Sequence, residues 1–334
     1  MLILRSSSGC RARGLEGRQG VMKYIDSTAE AKRAYVTEVL NRGAFFRKVQ
    51  LWPLSDRLDF EGWLRNFNGI DEQYLAARIL SFFMYFPSRM IDRMLYDAIG
   101  AVVASLAVMR HNSHEDFHKT DVYYCYLPGE DESPINSGQT FITKIRDRLH
   151  VPPDRIVTFD KLVDLICHGM PCGNVVFSDD VVGSGNQCIS ALGKRVPKLD
   201  MSLYGYAVSH HITVCVVPLI ANKFGVAEVN RMMPELCLRP LHILGEEYNL
   251  FNPSCLCWDG DVELYREGVD LILSKSRCLG IPDNGDVVSA RGYQNMGWAL
   301  GFEHGIPDAV PALFFFSEKG WKPLIWRAYD RAGY

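Results

Sequence analysis

One stretch, GNVVFSDDVVGSGNQ at residues 173–187, constrains the fold more than any other. An apolar run ends in two adjacent carboxylates, Asp179 and Asp180. Val181 and Val182 follow, then a glycine-rich loop of Gly183, Ser184 and Gly185. The next residues, NQCISALGKR, read as a helix. A buried strand that passes through a glycine loop into a helix is a building unit of parallel α/β sheets. Ligands of such sheets sit outside the carboxyl ends of the strands. A helix start also offers N–H groups that have no intrahelical partner. Glycine lets backbone approach a phosphate closely. Gly183, Ser184 and Gly185 therefore predict an anion cradle. The two acids need a different partner, because like charges repel: hydroxyl groups, or a hard cation such as Mg²⁺. A sugar phosphate presents a phosphate and vicinal hydroxyls together.

The rest of the chain divides by texture. Residues 1–21 start with only four apolar residues, too few for the core of a secretory signal, and read as a disordered basic tail. Residues 22–119 read as a helical N-terminal domain. STAEAKRAYVTEVLNRG has a cap at Ser27 and a stop at Gly43. DEQYLAARILSFFMYF sets Leu75, Ile79, Leu80 and Phe83 on one face, and SRMIDRMLYDAIGAVVASLAVMR extends a third helix. No strand signal interrupts this block. From residue 120 to 334, strand and helix patterns alternate. DVYYCYLP, DRIVTF, NVVFS, SLYGYAV and LCLRPLHIL are the strand candidates, and QTFITKIRDRLH and FDKLVDLICHG are helical. The segment from Gly292 to Arg327, crowded with Gly, Pro and Trp, suits a hood of loops over a site. The expected fold is α/β, a parallel sheet flanked by helices, with a helical N-terminal domain and a C-terminal hood.

Two common phosphate motifs fail on these residues. A P-loop would need Lys-Ser/Thr after its glycines, and the loop has no lysine there. The dinucleotide fingerprint would need glycine at Cys188 and an acid some way downstream, whereas the acids here precede the loop. The pattern of Val175, Val176, Asp179, Asp180, Val181, Val182, Ser184 and Gly185 instead resembles the phosphoribosyl-diphosphate signature of type I phosphoribosyltransferases. The departures are Phe177, Ser178, Gly183, and Gln187 where the family usually has threonine. The layout from Phe60 to Arg327 is similar to the phosphoribosyltransferase-like effectors of bacterial conflict (anti-phage) systems. Trp63 to Phe67, the Ser-Gly loop, DDVVGSGN, and His304 with Pro307, Pro311, Trp321, Pro323 and Arg327 carry that likeness.

The resemblance implies that Asp179 and Asp180 bind the ribose hydroxyls and that Gly183 to Gln187 hold the 5′-phosphate. Ser137 and Gly138, with Lys144 nearby, would grip the diphosphate. Mg²⁺ would come in bound to that diphosphate, so the acids would meet it only through the ligand. The implied reaction breaks the bond from ribose C1 to the diphosphate, and no general base is assigned. Two readings stay open: a transferase with an unknown acceptor, and a non-catalytic sensor of phosphoribosyl diphosphate or a nucleotide that signals to a partner protein. An operon-encoded protein docking on the helical region would be that partner.

Composition narrows the class. A net charge of −3 gives no basic footprint for nucleic acid. No apolar run is long enough to span a membrane. The ten cysteines contain no C-x-x-C pair, the nearest being Cys255 with Cys257 and Cys167 with Cys172. They read as reduced thiols of a cytoplasmic protein. His111, His114 and His118 would share a helix face, either as a zinc cluster or as a solvated helix end. His210 and His211 read as a strand end facing the substrate edge or solvent. His304 is either a hood contact to substrate or a structural histidine. Phe314, Phe315 and Phe316 read as core, and Trp298 and Trp321 as packed or as covering a ring.

Overall fold

The computed structural model describes residues 28–54, 56–109, 118–129, 137–170 and 173–327. Three helices lead: α1 (Ala29–Lys48), α2 (Phe60–Leu64) and α3 (Gly69–Phe82). The Thr28 hydroxyl caps α1 by accepting from the Ala31 N–H at 3.1 Å. The expected cap at Ser27 lies outside the described residues. Gly43 does not end the helix. It is a contact point: a Cβ there would come within 2.7 Å of the Phe60 ring. A three-residue strand, β1 (Met84–Phe86), then interrupts the helical stretch before α4 (Ser88–Met109).

The central sheet follows. Its strands are β2 (Tyr123–Tyr126), β3 (Asn174–Val182), β6 (Thr213–Asn222), β7 (Cys237–Leu238) and β8 (His242–Leu244). Between them lie α5 (Ser137–Leu149), α6 (Phe159–Cys167), α7 (Asn186–Gly193), a small hairpin of β4 (Arg195–Val196) and β5 (Met201–Ser202), α8 (Leu203–Ser209) and α9 (Lys223–Met232). The order is β2-β3-β6, with β7 and β8 both on the far side of β6. Every pairing in this sheet is parallel. β3 and β6 are buried along nearly their whole length, as expected of strands covered on both faces. One face packs Val175, Phe177, Val214 and Val216 on α6 to α9. The other packs Tyr124, Val176, Cys215 and Val217 in one core with the N-terminal helices and the hood.

Several expectations for local structure are corrected. β6, the longest strand, carries Pro218 at its centre, and proline normally argues against a central strand. Its carbonyl accepts from the Leu241 N–H at 3.0 Å. That leaves the missing N–H on the same side, where Arg239–Leu241 separate β7 from β8. The proline therefore sits where the ladder is already broken. SLYGYAV is not a strand but α8, because Ser202 caps it by accepting from the Gly205 N–H at 3.0 Å. DRIVTF is a 3₁₀ turn, Pro153–Arg155, with a lone bridge from Ile156 to Tyr124.

The hood consists of α10 (Val262–Leu279), β9 (Leu300–Phe302) and connecting loops. β9 pairs in parallel with β1, so the two ends of the described chain meet. The Trp63 and Trp321 indoles both donate to the Leu313 carbonyl, at 2.9 and 3.0 Å. Trp63 also stacks on Phe314 at 5.4 Å. Trp298, Phe314 and Phe315 are buried, so these rings are packing. Among the described residues no helix is long and apolar enough to cross a membrane.

Candidate functional site

β3 carries the two acids to the carboxyl edge of the sheet. Side chains alternate along a strand, and the neighbours of these acids show where each goes. Asp179 follows Val175 and Phe177, whose face is covered by α6 to α9. There its charge pushes up the Cys188 thiol, already raised by burial, to about 12. Asp180 leans the other way, toward the hood. Its Oδ2 lies 2.8 Å from His304 Nε2. The two carboxyls nevertheless share a hydrogen bond at the strand end. Asp179 Oδ1 accepts from the Asp180 N–H, and Asp180 Oδ1 from the Val181 N–H, both at 2.9 Å.

Their electrostatics diverge. Burial lifts the Asp179 carboxyl well above the usual carboxylate range, and the Asp180 charge lifts it further. Burial also works against the Asp180 charge, but the His304 hydrogen bond and charge outweigh it. Asp180 ends below the usual range. The site thus favours the neutral form of Asp179 and the charged form of Asp180. The His304 ring is set by Phe302, stacked at 5.1 Å, and by Phe141 of α5, edge-on at 5.5 Å. Its Nδ1 is buried with no hydrogen-bond partner. A second acid, Asp308, binds Arg327 at 2.7 Å. Burial raises the Asp308 carboxyl, Arg327 draws it back down, and the Asp180 charge raises it again.

The loop after β3 is held tightly from behind. Gly185 has φ +85°, and a Cβ there would lie 2.6 Å from Val229 of α9. Gly225, in the first turn of α9, leaves so little room that a Cβ would come within 1.9 Å of the Gly183 carbonyl oxygen. The Ser184 hydroxyl accepts from the Asn186 N–H at 3.3 Å. In front of the loop lies a cleft of about 670 Å³. Gly183, Ser184 and Asn186 line one wall. Asn222, Gly225 and Glu228 of the β6–α9 junction line a second. Gln294, Asn295 and Met296 of the hood line a third. Gln294 and Asn295 both have left-handed backbones, φ 49° and 58°. Non-glycine residues in that region cluster at ligand sites.

Of the residues singled out from sequence, Gly183, Ser184 and Asn186 face the cleft. Gly185 backs the loop, and Gln187 is half-buried beyond it. Asp179, Asp180 and His304 come together at the end of β3, Asp179 buried and Asp180 with a side chain 18% exposed, and none of the three lines the cleft. Ser137 and Gly138 open α5, Gly138 buried. Lys144 turns away to α4, where it binds Asp92 and, at 3.0 Å, Ser88. His210 and His211 are not at the substrate edge. They precede β6, at the end of the sheet opposite the cleft, and the His210 ring stacks on Tyr206 at 3.8 Å. His111 and His114 lie outside the described residues. His118 caps a 3₁₀ turn, Lys119–Asp121.

Sequence reasoning missed the α9 and hood walls. The signal for one was Asn222-Lys-Phe-Gly225, a cap followed by a glycine. The signal for the other was glycines at 292 and 297 flanking Gln294 and Asn295. Among the described residues, no group of three or more His, Cys, Asp or Glu side chains is placed to hold a metal. Asp180 is engaged by His304, and Asp179 is buried behind it.

A parallel sheet with an acid pair and a glycine loop at one strand end defines a phosphoribosyltransferase-type protein. The family model PRTase-CE, a phosphoribosyltransferase-type family, matches residues 60–327, and the chain belongs to that family. No curated protein and no solved structure matches it.

Proposed function

We propose that the chain binds phosphoribosyl diphosphate and transfers phosphoribose to an acceptor. The observation that carries this is the loop Gly183–Asn186, pinned against α9 and opening on a cleft, directly after the strand end that holds Asp179 and Asp180. The 5′-phosphate sits on the loop, where glycine backbone and the start of α7 favour an anion. The ribose hydroxyls donate to Asp180, while burial and the Asp180 charge favour the neutral form of Asp179. Mg²⁺ is carried on the diphosphate of the substrate. The bond from C1 to the diphosphate breaks, the acceptor bonds to C1, and diphosphate leaves with the electron pair. Donors aimed at the charge that develops supply the main stabilisation.

A second reading is a sensor that binds phosphoribosyl diphosphate or a nucleotide without turnover. The His304–Asp180 hydrogen bond favours it, because a ligand hydroxyl must compete with the imidazole for that oxygen. Phosphoribosyl diphosphate with a labelled ribose phosphate, with and without Mg²⁺, separates the two. Diphosphate release supports the transferase, and saturable binding without release supports the sensor. Asp179→Asn combined with Asp180→Asn should abolish binding in a folded protein. Unchanged affinity would defeat both readings.

The family resemblance extends the proposal to a cytoplasmic role in bacterial defence, with an operon-encoded partner on the helical region. A phage challenge comparing the chain with its Asp180→Asn variant tests this. Equal plaque counts would count against it.

A further inference from the structure

The longest strand carries a pair of cysteines that the site does not use. Cys215 of β6 and Cys237 of β7 are direct register partners on parallel strands, so their side chains leave the sheet side by side. Arg239 lies two residues along on the same side as Cys237, and both Cys215 and Arg239 favour the Cys237 thiolate. Cys215 is buried and Cys237 half-exposed. A reactive dithiol needs one reachable sulfur, a cation beside it, and a second sulfur within bonding reach. This pair has all three. The remaining requirement is freedom for the sulfurs to close. β7 supplies it, being a two-residue strand held to β6 by two register pairs just before the break at Pro218.

The geometry points to Cys215 and Cys237 as a peroxide-oxidisable dithiol, with Cys237 the attacking sulfur and Cys215 the resolving one. The Cys237 thiolate attacks one oxygen of hydrogen peroxide. The S–O bond forms, the O–O bond breaks, and hydroxide leaves, taking up the proton that Cys237 released on ionising to become water. The Cys215 thiol then displaces the hydroxyl from Cys237. The S–S bond forms, the S–O bond breaks, and the departing hydroxyl takes the Cys215 proton as a second water. Both sulfurs are oxidised and one peroxide is reduced to two waters. The charges around Cys237 all favour this order. Cys215 donates to it, Arg239 attracts it, and together they outweigh the burial that opposes its ionisation, bringing its pKa to about 6. Cys215 is held up by that same hydrogen bond and by burial, so it stays protonated until the second step.

The experiment uses the full chain, fully reduced. Iodoacetamide labelling followed by peptide mass spectrometry gives the alkylation rate of each cysteine against pH. The Cys237 rate should reach half its plateau near pH 6. Arg239→Gln should move the Cys237 midpoint upward. After hydrogen peroxide, the peptides of Cys215 and Cys237 should appear linked, lighter by two hydrogens. Cys215→Ser should instead leave a sulfenic acid on Cys237 that dimedone traps. A Cys237 midpoint at the free-thiol value of about 8.5 would overturn the proposal. So would peroxide that oxidises the exposed thiols Cys167 and Cys278 while leaving Cys215 and Cys237 unlinked.

Discussion

Asp179 and Asp180 differ in sequence position by one and in environment almost completely. Each predicts its own pH behaviour. The folded value for Asp180 lies below the unfolded one, so its contribution is present above the ordinary carboxylate range and lost as pH falls through the folded value. His304→Phe keeps the ring packing and removes the donor. It should cost on the order of 1–3 kcal/mol near pH 7, and the cost should shrink as pH falls through the folded Asp180 value, as read by urea unfolding across pH. Asp179 behaves in the opposite sense. Its folded value is raised, so its contribution is complete below the ordinary carboxylate range and is lost as pH climbs through the folded value. Asp179→Asn should therefore leave stability unchanged in acid. It should raise it at pH 8 by on the order of 1 kcal/mol for each unit the value is displaced. The acid pair and the loop were legible in the sequence because both are local. Their opposite protonation preferences were not, since these depend on α7 behind Asp179 and on a histidine 124 residues further along facing Asp180.

At the scale of elements, the glycine loop and α9 act as one piece. Gly225→Ala puts a methyl group on the Gly183 carbonyl, which is backbone and cannot swing aside. We expect a loss of about 1–3 kcal/mol, the usual cost of overpacking, and weaker phosphate-ester binding by calorimetry. Gly100, exposed in α4 with open space around its Cβ position, is the control. Gly100→Ala should raise stability by about 0.5–1 kcal/mol. Helices α1, α3, α4 to α7 and strands β2 and β3 were readable because period and composition agree over their lengths. β6 was not, because Pro218 in a central strand contradicts the local rule, and only the broken edge beside it explains why the strand survives. SLYGYAV was misread because its tyrosines, leucine and valine favour strands, while the Ser202 cap decides for helix.

Over the whole molecule, one core runs from Val36 of α1 through Val176 and Cys215 of the sheet to Leu324 of the hood. The helical stretch and the sheet should therefore unfold together. Far-ultraviolet circular dichroism and tryptophan fluorescence should give superimposable urea transitions. Two separated transitions would mean that residues 28–118 form an independent domain. Trp63→Phe, which removes one of two indole donors on the Leu313 carbonyl, should lower the midpoint of both signals equally. The same closure has a temporal side. On a ribosome adding about 5–20 residues per second, Asp180 emerges roughly 6–25 s before the histidine 124 positions later that neutralises its field. β9 must also reach back to β1 before that imidazole can be positioned. A nascent chain thus carries the Asp180 carboxylate unguarded until the imidazole and β9 have been made.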